Sequence, residues 1–269
     1  MKNFCGQFTG ILISILNRYF ILTAGHCLAE VRTDTLHFGI ASGANVPYKP
    51  KYILRSDYRY DAEKCMDWGY IEISDSDAGT LKAQNKSFLP PAKLVVLTRS
   101  EVEERISASL MVGYPAANTQ HLPADQGLGI RPTCVLLSNS SGRTETKVEV
   151  SKLEMPNTES HVQLIDYGGD PNDVRAADGQ QTSPIPSMKG ASGGGFWSAD
   201  FSGPIDDWDA AKLKLVGIHV GEADLDSDFR GFRTILLGHH LRFIAERIPN
   251  LSEYIYSLWP GIKDNPWSL

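Results

Sequence analysis

The stretch of this chain best suited to chemistry is a serine, Ser192, followed directly by three glycines within 188–197. Glycine adopts positive φ angles and lets a substrate carbonyl approach main-chain N–H groups closely. When a hydroxyl attacks a carbonyl, negative charge develops on the carbonyl oxygen, and each preset N–H donor there is worth roughly 10²–10³ in rate. Ser192 is therefore the candidate nucleophile of an acyl transfer, with the N–H groups of Gly190 and Ser192 as its oxyanion hole. The spacing of a phosphate-binding loop is absent around it.

A serine hydroxyl is a poor nucleophile without a base, so the chain must also supply a histidine and a group that orients it. The candidates are His26, in Thr-Ala-Gly-His-Cys at 23–27, and Asp67, which opens Asp-Trp-Gly-Tyr-Ile-Glu-Ile at 67–73. Asp57 and Asp61 are alternatives to Asp67, but they lie in a polar loop rich in Tyr, Arg and Asp. Asp67 directly precedes an apolar strand, which favours Asp67.

The elements that would position the histidine and the aspartate are short strands. Apolar, β-branched and aromatic runs over 8–15 and 18–23, split by Leu16-Asn17, predict a hairpin that ends at the histidine motif. Helical periodicity is scarce in this half of the chain, which favours an all-β unit. The other elements predicted here are strands at 36–40, 51–54 and 68–73, and a loop or short helix at 75–87.

The second half of the chain reads as more strands and one closing helix. Prolines at 88–91 start an extended segment, predicted to link two halves. Long Gly-, Pro- and Asp-rich segments at 116–130 and 168–187 predict functional or mobile loops. Strands are predicted at 107–113, 133–138, 146–153, 161–167, 212–220 and 229–236. A helix ending near Pro249 is predicted from apolar residues at helical spacing: Leu237, Leu241, Ile244 and Ile248.

Composition limits the class of protein. The 269 residues include 42% hydrophobic and 22% charged side chains, as expected of a globular chain with a real core. A net charge of −6 argues against nucleic acid as a partner. No uninterrupted apolar run approaches the ~20 residues of a membrane span, and Asn17 and Arg18 interrupt the signal-like run at 10–16. We therefore expect no membrane partner and a cytoplasmic location.

Cysteine usage points the same way. The chain has no Cys-x-x-Cys pair that would predict zinc, and its cysteines are too few and too scattered for a disulfide framework. We expect mostly reduced thiols, no metal and no cofactor. The four cysteines are Cys5, Cys27, Cys65 and Cys134.

Taken together, the three motifs resemble those of the trypsin-like (chymotrypsin-fold) serine proteases. They occur in the order His, Asp, Ser, and the family's serine lies in a pattern similar to Gly-Ala-Ser-Gly-Gly at 190–194. The 41 positions from His26 to Asp67 are within the family's range. The resemblance covers 8–249, with the loops unaligned.

The resemblance implies a serine endopeptidase acting on protein or peptide substrates. Ser192 would attack the scissile carbonyl and form an acyl-enzyme, while His26 transfers the proton and Asp67 holds the His26 tautomer. The implied fold is all-β, with two antiparallel six-stranded β-barrels, the triad in the crevice between them, and a closing C-terminal helix. The corresponding units are a first barrel at 1–90, a linker at 91–105, a second barrel at 106–236, and a helix and tail at 237–269.

The resemblance also suggests a specificity pocket, with 215–221 similar to one wall and 231–234 to the other. Where trypsins carry the aspartate that binds Arg or Lys, this chain has Pro186. His219, followed by Val220 and Gly221 in the same wall, resembles the histidine with which glutamate-specific bacterial proteases and picornavirus main proteases read an acidic or amide side chain. Arg233 would add a charge suited to a carboxylate. A preference for Glu, Asp or Gln before the cut is therefore predicted.

Other interpretations of the pocket remain open. His219 could simply pack under the triad while Arg233 pairs with Glu222, and Glu222 or Asp224 could instead recruit a basic side chain. A basic or small residue before the cut is then the alternative.

The chain departs from the family pattern in two places. Ala191 stands where zymogen-activated members carry the aspartate that pairs with a new N-terminus, and the chain shows no evident propeptide. This indicates a bacterial-type member without that switch. The partner expected for Cys27 falls near Gly10 or Ile11, neither of them cysteine, which favours a reducing environment. Cys5 and Cys65 are the other conceivable partners for Cys27.

Three other functions compete with a freely active protease. A regulatory or binding module could keep the structure without turnover, although intact Ser, His and Asp argue against it. A protease could need an activating partner to order 168–187 or the serine loop. An esterase has no distinct support, because the serine is not set in an alternating β/α chain.

Overall fold

The computed structural model describes residues 8–29, 37–39, 45–47, 52–55, 67–98, 101–102, 106, 108–115, 119–121, 128–130, 133–138, 189–199, 209–226 and 229–264. The predicted strands at 146–153 and 161–167 lie outside the described residues. The described strands are β1 (Ile11–Ile15), β2 (Arg18–Ala24), β3 (His37–Gly39), β4 (Asn45–Pro47), β5 (Tyr52–Arg55), β6 (Trp68–Ile73), β7 (Ala108–Gly113), β8 (Thr119–His121), β9 (Leu128–Ile130), β10 (Thr133–Ser138), β11 (Gly195–Ala199), β12 (Lys214–Asp226) and β13 (Phe229–Leu236).

The first sheet is antiparallel, with four strands in the order β1-β2-β6-β5. The predicted hairpin of β1 and β2 is confirmed, with Ile11 opposite Leu22 and Ile15 opposite Arg18. Its two turn residues, Leu16 and Asn17, have φ angles of 46° and 61°. Two consecutive positive φ angles are typical of the tight turn whose twist matches that of the flanking strands.

The second sheet is also antiparallel, with five strands in the order β10-β7-β11-β12-β13. Its central strand, β11, begins at the last of the three glycines after Ser192 and pairs with β7 on one side and β12 on the other. Two small hairpins, β3-β4 and β8-β9, complete the described pairings.

The described α-helices lie directly after β6 and in the C-terminal part of the chain. The segment predicted as a loop or short helix forms α1 (Asp75–Ala83), and Ser74 Oγ caps it by accepting a hydrogen bond from the Asp77 N–H at 3.1 Å. The predicted closing helix is α2 (Leu237–Arg247). Two more helices follow it, α3 (Pro249–Leu258) and α4 (Gly261–Asp264). Pro249 begins α3 because proline suits the first helical turn.

A shared apolar core joins the two sheets and the C-terminal helices. It includes buried side chains from the first hairpin, from β12 and from all three helices, among them Ile13, Phe20, Ile218, Leu241, Ile255 and Ile262. The linker segment bonds to both sheets, because Leu89 N donates to Leu12 O in β1 and Val95 N donates to Leu215 O in β12, both at 2.9 Å. The two halves are thus held together by apolar packing and by main-chain hydrogen bonds.

The expectation of an all-β fold of two six-stranded barrels is wrong. The described residues form open antiparallel sheets of four and five strands, and none of these sheets closes into a barrel. Four helices accompany them, so the described part of the chain is a mixed α and β structure. A sheet closes into a barrel only when the number, tilt and stagger of its strands agree. The alternation of apolar and polar residues that predicts a single strand carries none of this information. No helix in the described residues has the length and apolar character needed to cross a membrane.

Candidate active site

Strand pairing brings His26 and Asp67 together. β2 and β6 are antiparallel neighbours, with Ala24 opposite Trp68, so the end of β2 lies beside the start of β6. Gly25, the residue after β2, continues this pairing by donating its N–H to Asp67 O at 3.1 Å. His26 then opens a 3₁₀ turn, His26–Leu28. A gap of 41 positions in sequence is therefore closed by one strand register.

Asp67 holds His26 through both of its carboxylate oxygens. His26 Nδ1 lies 2.6 Å from Asp67 Oδ2, and the His26 main-chain N–H donates to Asp67 Oδ1, also at 2.6 Å. The side chain of Asp67 is only 11% exposed, whereas that of His26 is 36% exposed. A carboxylate in this position keeps the Nδ1 proton and leaves Nε2 to face a substrate.

The surroundings of His26 favour its charged form. The hydrogen bond that the His26 ring donates to Asp67, and after it the contact with Cys27, raises the pKa of His26 to about 10 despite its partial burial. The imidazolium is therefore stabilised by the same carboxylate that orients the ring. The neutral base becomes populated only on the alkaline side of neutrality.

Cys27 lies between the histidine and the serine loop. Its Sγ is 3.6 Å from His26 Nε2 and 3.7 Å from the main-chain oxygen of Ser192. Cys27 is half-buried, and it and Cys134 are free thiols. Cys5 and Cys65, the other conceivable partners for a disulfide, lie outside the described residues. The position therefore carries a thiol rather than a bridge, in direct contact with the candidate base.

Ser192 sits between two glycines of left-handed backbone. Gly190 has a φ of 91° and Gly193 a φ of 89°, values that a residue with a Cβ rarely adopts. A Cβ on Gly193 would also overlap the Thr9 main-chain oxygen and the Thr23 hydroxyl. Glycine is thus required at 193 both for conformation and for space.

The serine hydroxyl points along β12. Ser192 Oγ donates to the Val220 main-chain oxygen at 3.5 Å, which is at the outer limit for a hydrogen bond. Within the described residues, Ser192 Oγ and His26 Nε2 are not hydrogen-bonded to each other. Hydrogen bonds of this kind are often long or misaligned without substrate and tighten in the enzyme–substrate complex. Two of the three expected side chains are joined, and the third lies beside them.

The two N–H groups expected to form an oxyanion hole belong to Gly190 and Ser192. No acceptor for the N–H groups of Gly190 and Ser192 occurs in the part of the chain that the structure describes. Ala191 O accepts from the Gly194 N–H at 2.8 Å, inside the loop. Because N–H and C=O of one peptide point in opposite directions, this bond aims the Ser192 N–H outward. The loop can therefore offer donors to a charge that develops on a substrate oxygen.

Main-chain bonds fix the loop to the predicted pocket wall. Gly193 N donates to His219 O, and His219 N donates to Gly194 O, both at 2.7 Å. His219 itself is 1% exposed, and Val220 is 5% exposed. Between His219 and Gly221, β12 shifts register against β13, which leaves Gly221 opposite Arg233. Pro186 lies outside the described residues.

Sequence reasoning missed a buried histidine that supports the site. His240 in α2 is fully buried, with Nε2 3.3 Å from the Thr23 main-chain oxygen in β2. Burial lowers the pKa of His240 to about 4, so its ring is neutral. One helical turn away, the Phe243 ring stacks on Trp68, the residue after Asp67, with centroids 3.5 Å apart. In the sequence, His240 appears only as one of two adjacent histidines in an amphipathic helix. That pattern indicates packing of the helix against the core and does not indicate a role at a site.

The chemistry available at this site is nucleophilic attack with proton transfer. No group of three or more His, Cys, Asp or Glu side chains in the described residues could hold a metal ion. No protein-family model matches this sequence, and no curated protein matches it either.

Proposed function

We propose that this protein is a serine endopeptidase that cleaves peptide bonds through an acyl-enzyme on Ser192. The observation that carries the proposal is the double contact of Asp67 with His26, at 2.6 Å to the ring and 2.6 Å to the main chain. A packed structural histidine has no need of a buried carboxylate on Nδ1, and the Cys27 thiol beside His26 Nε2 in turn contacts the serine loop at Ser192 O. The available N–H groups of Gly190 and Ser192 supply the second requirement of acyl transfer.

The reaction follows from the positions of these groups. Ser192 Oγ turns from Val220 O toward His26, attacks the carbonyl carbon and gives its proton to Nε2, while the carbonyl oxygen becomes an anion held by the two N–H donors. The C–N bond then breaks, and the leaving amine takes the proton from His26. Water attacks the resulting ester with His26 as base, which releases the carboxylic acid and restores Ser192.

The proposed preference is for Glu, Asp or Gln before the cut. Its support is the buried His219, whose strand bonds directly to the serine loop, and the register that sets Arg233 beside Gly221. Arginine is a residue type that binds carboxylates well, and Arg233 lies opposite the proposed pocket wall in the strand register. Cleavage after Arg or Lys would contradict this preference while leaving the proposed reaction intact.

A covalent label and a peptide library test the proposed function together. A fluorophosphonate should label the wild type, and the library should be cleaved, whereas Ser192→Ala should do neither. Ser198→Ala, a serine in β11 of the same sheet, is the matched control and should behave as the wild type. Labelling that persists in Ser192→Ala would overturn the assignment of the nucleophile.

A second candidate is a form that is inactive alone, either a regulatory module or a peptidase that requires a partner. The observation in its favour is the missing Ser192–His26 hydrogen bond, because Ser192 Oγ faces Val220 and His26 Nε2 faces Cys27. Wild type that neither labels nor cleaves at any peptide concentration would favour this candidate. Labelling of wild type alone would exclude it.

A further inference from the structure

We propose that Thr9 is a positioning residue that fixes the main chain on both sides of Ser192 and so presets the oxyanion hole. This inference rests on the proposed function and adds to it a residue remote in sequence. Thr9 lies just ahead of β1 in the first sheet, whereas Ser192 lies just ahead of β11 in the second. A contact between them therefore crosses from the half that carries the base to the half that carries the nucleophile.

Thr9 is 3% exposed, and each of its polar groups has a partner. Its N–H donates to Ser192 O at 3.0 Å, and its hydroxyl donates to Gly190 O at 3.4 Å. The same hydroxyl accepts from the Tyr114 N–H at 3.0 Å, and the Thr9 main-chain oxygen accepts from Thr23 Oγ1 at 2.8 Å. The Tyr114 N–H occupies a lone pair of the hydroxyl, so the hydroxyl proton is left for Gly190 O.

These bonds orient consecutive peptide groups around the nucleophile. The hydroxyl holds the carbonyl of Gly190 and the N–H of Thr9 holds the carbonyl of Ser192, while Gly194 holds the carbonyl between them. A peptide group whose carbonyl is held cannot turn over without breaking that bond. The Ser192 N–H lies within this held stretch, and the Gly190 N–H immediately precedes it. Preset donors of this kind are the part of an oxyanion hole that accelerates reaction.

Thr9 also sets the distance between base and nucleophile. Thr23 lies in β2, three positions before His26, and its hydroxyl bonds to the main-chain oxygen of Thr9. The serine loop approaches the same oxygen so closely that only glycine fits at 193. Movement of the loop relative to β2 therefore has to break the contacts of Thr9.

The test compares Thr9→Val, which has the same shape without the hydroxyl, with Thr9→Ser, which keeps the hydroxyl. We expect Thr9→Val to reduce kcat and the fluorophosphonate labelling rate by about tenfold or more, with KM little changed and the pH midpoint of activity unmoved, because the base is untouched. Thr9→Ser should keep most of the wild-type rate. Ile73→Val, a buried change at the far end of β6, controls for lost stability and should label as the wild type below its melting temperature.

Several outcomes would overturn the positioning role. These are wild-type rates in Thr9→Val, an equal loss in Thr9→Ser, or an equal loss in Ile73→Val at matched stability. If Thr9→Val does not fold, Thr9→Ala against Thr9→Ser is judged by the same rates. Failure of the proposed function gives a different result. In that case the fluorophosphonate either does not label the wild type or labels wild type and Ser192→Ala equally, and the proposed role of Thr9 is then wrong as well.

Discussion

The two halves of the candidate site are held by different kinds of force. On the first sheet, the ring of His26 and the carboxylate of Asp67 form a side-chain contact of 2.6 Å, and the His26 main-chain N–H donates to the same carboxylate, also at 2.6 Å. On the second sheet, the Ser192 loop is held by neutral main-chain bonds to His219 and Thr9, and its hydroxyl has only a 3.5 Å contact. The proposed base is thus held in place by its carboxylate, whereas the proposed nucleophile has its backbone fixed and its hydroxyl only weakly bonded.

The comparison predicts that the largest loss follows from breaking the charged pair. In Asp67→Asn the ring loses the acceptor that keeps the proton on Nδ1, and kcat/KM should fall by roughly 10³–10⁴. Peptide hydrolysis under initial-rate conditions measures the effect. Asp75→Asn, an exposed residue at the start of α1, is the control and should retain wild-type activity. A loss of less than about tenfold in Asp67→Asn would mean that another group orients His26.

The matching change on the other side is Gly193→Ala. The backbone at position 193 has a φ of 89°, which is strained for alanine, and the added methyl group would overlap Thr9 and Thr23. The loop must therefore shift. We expect the labelling rate to fall by about 100-fold and the free energy of unfolding by about 1–3 kcal/mol. Gly79→Ala, exposed in α1 with open space around its Cβ, should instead stabilise by about 0.5–1 kcal/mol. Unchanged labelling in Gly193→Ala would show that the loop's geometry is not needed.

The smallest effect is a shift in pH dependence, and it tests whether the base is as strongly paired as its contacts indicate. Because the pKa of His26 is raised to about 10, kcat/KM should climb through the alkaline range rather than level off near neutral pH. Cys27→Ala removes the second contribution to that pKa and should move the rise to lower pH. A profile that is flat above neutral pH, with no change in Cys27→Ala, would contradict this.

The same pKa has a consequence for stability whose sign can be stated. A histidine with a raised pKa binds its proton more tightly when folded, so its contribution is fully present below about pH 6.5, the unfolded value, and is lost as pH rises toward 10. Urea unfolding at about pH 6, 8 and 10, compared with His26→Gln, measures this contribution. Activity and stability should therefore change in opposite directions with pH.

The neighbourhood of His26 and Asp67 could be predicted from sequence because each ends or begins a clearly patterned strand. Once β2 and β6 pair, their register places the end of one strand beside the start of the other and so brings His26 and Asp67 together. Thr9 could not be predicted in the same way, since its hydroxyl partner Gly190 lies 181 positions away and a threonine before a strand carries no signal. Barrel closure was wrongly predicted because the alternation of apolar and polar residues locates a strand but does not show whether a sheet closes on itself.

Thr23 contacts residues from both the early and the late parts of the chain. Its hydroxyl bonds to Thr9, and its main-chain oxygen receives His240 from α2, 217 positions later. Chains leave the ribosome from the N-terminus onward, at about 5–20 residues per second. His26 and Asp67 are made long before the serine loop, and the helix whose His240 contacts β2 is made after that loop. The fully supported site can therefore form only after synthesis has passed His240, so the activity we propose would begin only once both sheets have been made.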